Sequence, residues 1–194
     1  MRSEIRMQSP TDFVARWTKS ADNLKRFPNQ CLERLSLSAE DKSFLEQAGL
    51  PADAAPFLSF DAPASGNLPT VTEQWDLPNE FQRYRVIGSD GAGSPVAIDE
   101  GRRGEVVCLD QENRFARVLM NTSIARLAES LLAYRKLVED TQAESGLDAF
   151  LDGKISKPVR DELRRGLMAI DRAAMQPGCF WHDQLKNLDA NAGS

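Results

Sequence analysis

The stretch Tyr84–Asp99, YRVIGSDGAGSPVAID, decides how this chain is read. Gly88, Gly91 and Gly93 follow a run of β character. Such glycines mark either a phosphate-cradling loop or the turn of a hairpin. A dinucleotide fingerprint is G-x-G-x-x-G and opens a helix, whose N-terminus holds the pyrophosphate. Here the order is G-x-x-G-x-G, and SPVAID continues as a strand. A P-loop ends in G-K-[ST], and no lysine is at hand. A kinase-type glycine loop does join two strands, but no V-A-I-K, H-R-D or D-F-G element follows. The stretch therefore reads as a β-hairpin, in which Asp and Gly supply the positive φ that tight turns need.

Outward from the hairpin, residues 81–119 give four short β runs: FQRYRVIG, PVAID, EVVCLD and RFARVLM. In the first, Phe81, Arg83, Arg85 and Ile87 fall on one side, Tyr84 and Val86 on the other. The loops SDGAGS, EGRRG and QEN are too short for parallel crossovers, so the runs pair antiparallel. The period then becomes helical in NTSIARLAESLLAYRKLVED: Ile124, Leu127, Leu131 and Val138 form a stripe widened by Ala128 and Leu132, expected to lie on the sheet. Asn121, Thr122 or Ser123 can cap this helix. The sequon at Asn121 reads as that cap.

Residues 12–27 read as a helix stopped by Pro28. SAEDKSFLEQAGLP reads as a second, with Ser38 near its start, Asp41 in the place of a capping-box partner, and Gly49 and Pro51 at its stop. PFLSF reads as a short strand within the proline-punctuated segment 51–80, and DAPASGNLPT as a loop. GLDAFLDGK is a link or short helix, KPVRDELRRGLMAIDRAAM a helix opened by Pro158, PGCFWHDQL a last short helix, and DANAGS a frayed tail.

The chain has 194 residues, enough to bury a core without disulfides or metals. One domain covering residues 1–194 is expected, with a core over about 38–140 and a helical C-terminal extension over about 156–188. No run approaches the roughly 18 apolar residues that span a bilayer, and MRSEIRMQSPTDF lacks an apolar targeting core, so a cytoplasmic protein without membrane partners is expected. Cys31, Cys108 and Cys179 have no metal-ligand spacing and read as small buried hydrophobes. Net charge is −5, but residues 40–112 hold 14 acids and 5 bases, a sum of −9. This disfavours nucleic-acid binding through the middle segment, because phosphates need Lys and Arg; it permits a basic protein partner, and it also reads simply as a solubilising surface.

No cofactor, metal or catalytic constellation emerges. His182 is the only histidine, and no G-x-S-x-G elbow accompanies it. Trp17, Trp75 and Trp181 read as core anchors, Trp75 being the most ambiguous. Asp90, Asp99, Glu100, Asp110 and Glu112 cluster at predicted hairpin ends, where loops on a rigid sheet commonly bind. They are the candidate partner-binding residues. A carboxylate-using hydrolase would need two such acids across a cleft, which sequence cannot show.

The order of these pieces resembles the SUKH superfamily of bacterial immunity proteins, most closely its fourth subgroup. FLEQAGLP is similar to the family's helix ending in a G-L-P turn, and YRVIGSDGAGSPVAID to its strand, glycine turn and strand. GEVVCLD followed by VLMNTSIARLAESLLAY is similar to its next strand and capped amphipathic helix, and Phe180-Trp181 suits the subgroup. The resemblance spans roughly residues 40–185. It implies an α+β domain, an antiparallel sheet of about four to six strands wrapped by N- and C-terminal helices. It also implies a non-enzymatic protein that binds and neutralises a cognate polymorphic or contact-delivered toxin, often a nuclease or nucleic-acid deaminase. Other members of the superfamily are scaffolds, which leaves a regulatory protein-binding module as the alternative.

Overall fold

The computed structural model describes residues 9–17, 23–64 and 66–191. Among them are eight strands and seven α-helices. The helices are α1 (Pro10–Trp17), α2 (Asn29–Leu32), α3 (Ala39–Gln47), α4 (Val71–Gln74), α5 (Ile124–Ser145), α6 (Lys157–Ile170) and α7 (Phe180–Asn191). The strands are β1 (Leu24–Lys25), β2 (Leu50–Pro51), β3 (Asp53–Ala54), β4 (Leu58–Phe60), β5 (Tyr84–Ser89), β6 (Pro95–Asp99), β7 (Glu105–Asp110) and β8 (Ala116–Asn121). β1 and β2 pair by themselves. β3 to β8 form one antiparallel sheet in which each strand pairs with the next in sequence. The chain is thus α+β, with the expected hairpins and with helices from both ends around them.

Alternate residues of the central strands reach two different cores. Val96, Ile98, Val106 and Cys108 face the larger one, built with α1, α3, α5, α6 and α7. Ala97, Val107, Leu109, Tyr84 and Val86 face a smaller one, closed by Val71 of α4 and by Trp75, Leu77, Phe81 and Phe115. Both faces of β6 and β7 are therefore covered, which explains their nearly unbroken apolar runs. The stripe of α5 packs as expected, and Val159, Leu163 and Leu167 of α6 with Phe180, Trp181 and Leu185 of α7 complete the same core.

Three glycines of the opening stretch have three separate tasks. At Gly88 a Cβ would come 2.1 Å from the carbonyl oxygen of Ser59, so only glycine lets β4 lie this close. Gly91 sits against Phe57, and Gly93 has φ +85° in the turn itself. None of them opens a helix.

The first helix is shorter than its pattern suggests. Residues 18–22 of the expected 12–27 helix lie outside the described residues, and Leu24–Lys25 is a strand paired with Leu50–Pro51. The reason lies at Gly49, which has φ +73° and whose Cβ would meet the Lys25 carbonyl oxygen at 2.1 Å. The turn that ends α3 presses its backbone onto an extended segment there. The expected alternation from Phe81 also gives way. Asn79–Arg83 is a 3-10 turn, so the period-2 pattern starts at Tyr84, and a bulge between Val86 and Gly88 shifts it again. Phe81 consequently shares a face with Tyr84.

Asp41 departs from its capping-box role. Its Oδ2 accepts the Ser38 hydroxyl at 2.8 Å, while Oδ1 accepts the backbone N–H groups of Ile124 (3.0 Å) and Ala125 (3.3 Å). One buried carboxylate thereby satisfies orphan donors at the start of α5 from 83 residues away in sequence.

Candidate functional site

An antiparallel meander sends its turns alternately to two ends of the sheet. The turns β3–β4, β5–β6 and β7–β8 lie at one end; the β6–β7 turn lies at the other. The five candidate acids divide accordingly.

Asp99 and Glu100 sit at the β6–β7 end and are consumed internally. Asp99 has no exposed side chain: its carboxylate lies between Arg83 Nε at 3.2 Å and Arg117 Nε at 3.0 Å, and accepts the Gly101 N–H at 3.1 Å. Arg117 also pairs with Glu105. Glu100 Oε2 holds Arg85 Nε at 2.6 Å, and its Oε1 accepts the Ser36 N–H at 3.0 Å. Neither Asp99 nor Glu100 lies at the end of the sheet that carries Asp90, Asp110 and Glu112. These two acids anchor the turn to the sheet and to the segment after α2, and Asp99 offers no surface to a partner.

Asp90, Asp110 and Glu112 share the opposite end and come together. Asp90 Oδ1 accepts the N–H groups of Ala92 (3.0 Å) and Ser94 (2.8 Å), forming the β5–β6 turn. Asp110 Oδ1 accepts those of Glu112 (3.1 Å) and Asn113 (3.3 Å), forming the β7–β8 turn. Gln111 ties the two turns together, its side-chain amide donating to the Ala92 carbonyl and its backbone N–H to Ser94 Oγ at 3.3 Å. Each aspartate spends one oxygen on its own turn. No ion pair joins Asp90, Asp110 or Glu112 to a cation among the described residues.

Between the turns and α7 lies a cleft of about 230 Å³. Asp90, Asp110, Glu112 and Asp183 line it around a floor of Cys108, Val118 and Phe180. Asp183 faces His182 Nδ1 at 2.9 Å and brings a fourth carboxylate. It escapes a sequence reading because the helical pattern of FWHDQL does not tell which end of the sheet the helix covers.

A buried polar network fixes α7 there. Trp181 Nε1 donates to Asn121 Oδ1 at 2.8 Å, and Asn121 Nδ2 donates to Ser130 Oγ at 3.1 Å. Asp171 Oδ2 accepts the Thr122 N–H at 2.7 Å and hydroxyl at 2.9 Å. Of the three residues able to cap α5, Ser123 does so; Asn121 is instead the buried ligand of Trp181. Phe180 and Trp181 meet edge to face at 5.0 Å, which places the Phe180 ring under the cleft.

The cleft accepts hydrogen bonds and positive charge. Burial, then the negative charge of Asp90 and a contact from the thiol to Asp90 Oδ2 at 3.7 Å, push the Cys108 thiol up to about 12, which disfavours the thiolate at neutral pH. Cys31 is buried and Cys179 half-buried, and burial raises both. Among the described residues no three His, Cys, Asp or Glu side chains converge to hold a metal ion. The carboxylates ring the cleft rather than meet at a point. No described helix is long and apolar enough to cross a membrane.

No curated protein and no solved structure matches the chain significantly. The model of one family, SUKH-4 immunity protein, matches residues 12–187, from α1 through α7. With the match running over nearly the whole fold, hairpins and C-terminal helices included, the chain belongs to the SUKH-4 immunity protein family.

Proposed function

We propose that this chain neutralises a cognate toxin by binding it, with the cleft at the β5–β6 and β7–β8 turns as the contact. The observation that carries this reading is the set of four carboxylates, Asp90, Asp110, Glu112 and Asp183, around one cleft; among the described residues no lysine or arginine is paired to them, and Asp183 pairs only with His182. At the other end of the same sheet, every candidate acid has its arginine. A protein surface rich in Lys and Arg fits the unpaired end. Enzymes acting on nucleic acid present such a surface to bind phosphate, so a nuclease or nucleic-acid deaminase is the toxin class proposed. Like-signed carboxylates on a rigid rim steer a basic partner and raise its association rate. Occupying a phosphate-binding groove would block substrate without chemistry, so no enzymatic step is needed, and action in the cytoplasm against an incoming toxin fits the same reading.

The test is co-expression with any toxin domain found encoded beside this chain's gene. Protection of the cells and a stable complex of the two purified proteins are expected. A pull-down that finds only host proteins, with no protection from the toxin, would instead place the chain among scaffold or regulatory modules.

A further inference from the structure

The turn between β3 and β4, residues 55–57, ends on Phe57 at the same end of the sheet as the acidic cleft. Phe57 has φ 59° and is 69% exposed. In three-residue hairpin loops the left-handed position is ordinarily glycine, and a bulky side chain there is an outlier. Phe115 also has positive φ, but its ring packs edge-on against Trp75 at 6.4 Å and Phe81 at 6.3 Å. Burial compensates that strain. Phe57 has no ring partner among the described residues.

The neighbouring turn leaves room for Phe57. A Cβ on Gly91 would lie 2.9 Å from Phe57 Cβ, and Gly91 lacks the positive φ that would otherwise explain a glycine. On either side of Gly91 stand Asp90 and Ala92, both lining the cleft. A strained, exposed phenyl ring is thus held against the turn that carries Asp90, at the edge of the acidic cleft.

We propose that Phe57 is the apolar anchor of the toxin interface. It inserts into an apolar socket on a basic toxin surface whose Arg or Lys side chains enter the adjoining cleft. The inference rests on the toxin-binding reading of that cleft. Charge complementarity selects the occupant: a basic protein surface suits both halves, whereas an acidic one would meet the carboxylates. Burial of the ring also excludes water from the neighbouring charge pairs, the arrangement that makes an aromatic residue dominate an interface.

The probe is the toxin domain against which the chain protects cells, inactivated in its active site. Phe57→Ala raises Kd by about 10- to 100-fold, mainly through faster dissociation, with the salt dependence of association kept. Phe57→Tyr retains most of the affinity. In the free protein, Phe57→Gly leaves Tm unchanged or raises it by about 2–4 °C, because the left-handed strain is relieved. An unchanged Kd for Phe57→Ala overturns the anchor, and so does a Tm loss of several degrees for Phe57→Gly, which marks a packing residue. If Asp90→Asn, Asp110→Asn, Glu112→Gln and Asp183→Asn together abolish binding while Phe57→Ala does not, the cleft reading stands and only the anchor fails. If the wild-type chain forms no complex, both fall.

Discussion

The two ends of the sheet carry the same kind of residue and treat it in opposite ways. At the β6–β7 end, Asp99 is buried between Arg83 and Arg117, and Glu100 is held by Arg85 and the Ser36 N–H. At the other end, Asp90, Asp110, Glu112 and Asp183 surround a cleft, with no arginine or lysine among the described residues paired to them. A buried carboxylate must be paired, because an isolated charge out of water is costly. A carboxylate at a cleft mouth keeps its water and needs no partner within the fold. The first end is therefore built for stability and the second is left available.

The largest effect should come from the paired end. Asp99→Ala leaves Arg83, Arg117 and the Gly101 N–H without their shared acceptor, and we expect a loss of about 2–4 kcal/mol, read by urea denaturation. Glu100→Ala should cost about 1–2 kcal/mol, since Arg85 keeps solvent access while the Ser36 N–H loses its acceptor. A wild-type midpoint for Asp99→Ala would mean that the two ends do not differ as described.

At the open end, Asp90→Asn, Asp110→Asn, Glu112→Gln and Asp183→Asn together should change stability by less than about 1 kcal/mol. Amides are the right probes here. Asp90 and Asp110 each use one oxygen to accept turn N–H groups, and an amide oxygen preserves that acceptor while removing the charge. Reversal to lysine would break the turns and confuse folding with binding.

The smallest effect is a pH dependence. Below about pH 9, the ordinary value of a cysteine, Cys108 is protonated whether the chain is folded or not. Between about 9 and about 12 the folded thiol keeps its proton while the unfolded one loses it, so stability falls as pH rises through this window. Asp90→Asn removes the second cause of that shift and lowers the folded value. The decline of Tm from pH 9 to 11 should then be shallower than in the wild type. An identical slope would show that burial alone governs Cys108 and that Asp90 contributes no field in the cleft.

The fold was largely legible because its signals are local. Short loops demanded antiparallel pairing, and the stripe of α5 and the Gly49–Pro51 stop read directly. The parts that were not legible depend on long-range contact. Leu24–Lys25 is a strand because Gly49 lets the end of α3 lie on it, and a helical pattern cannot reveal that. Phe81 changed faces because a 3-10 turn and a bulge interrupt the alternation. The candidate site was half legible. Hairpin ends located all five acids, but sequence does not say that Arg83 and Arg117 converge on Asp99, nor that α7 brings Asp183 beside Asp90. Phe57 is not legible in the sequence for a similar reason: its positive φ and its seat at Gly91 exist only in three dimensions.

The central claim is that the cleft carboxylates recruit a basic toxin. Its most direct measurement is the association rate of the toxin domain with the wild type and with the four-amide variant over a range of salt concentrations. The wild-type rate should fall steeply as salt rises, and the variant should associate at least about tenfold more slowly at low salt with a nearly flat dependence. Equal rates and equal salt slopes for the two proteins would contradict the account.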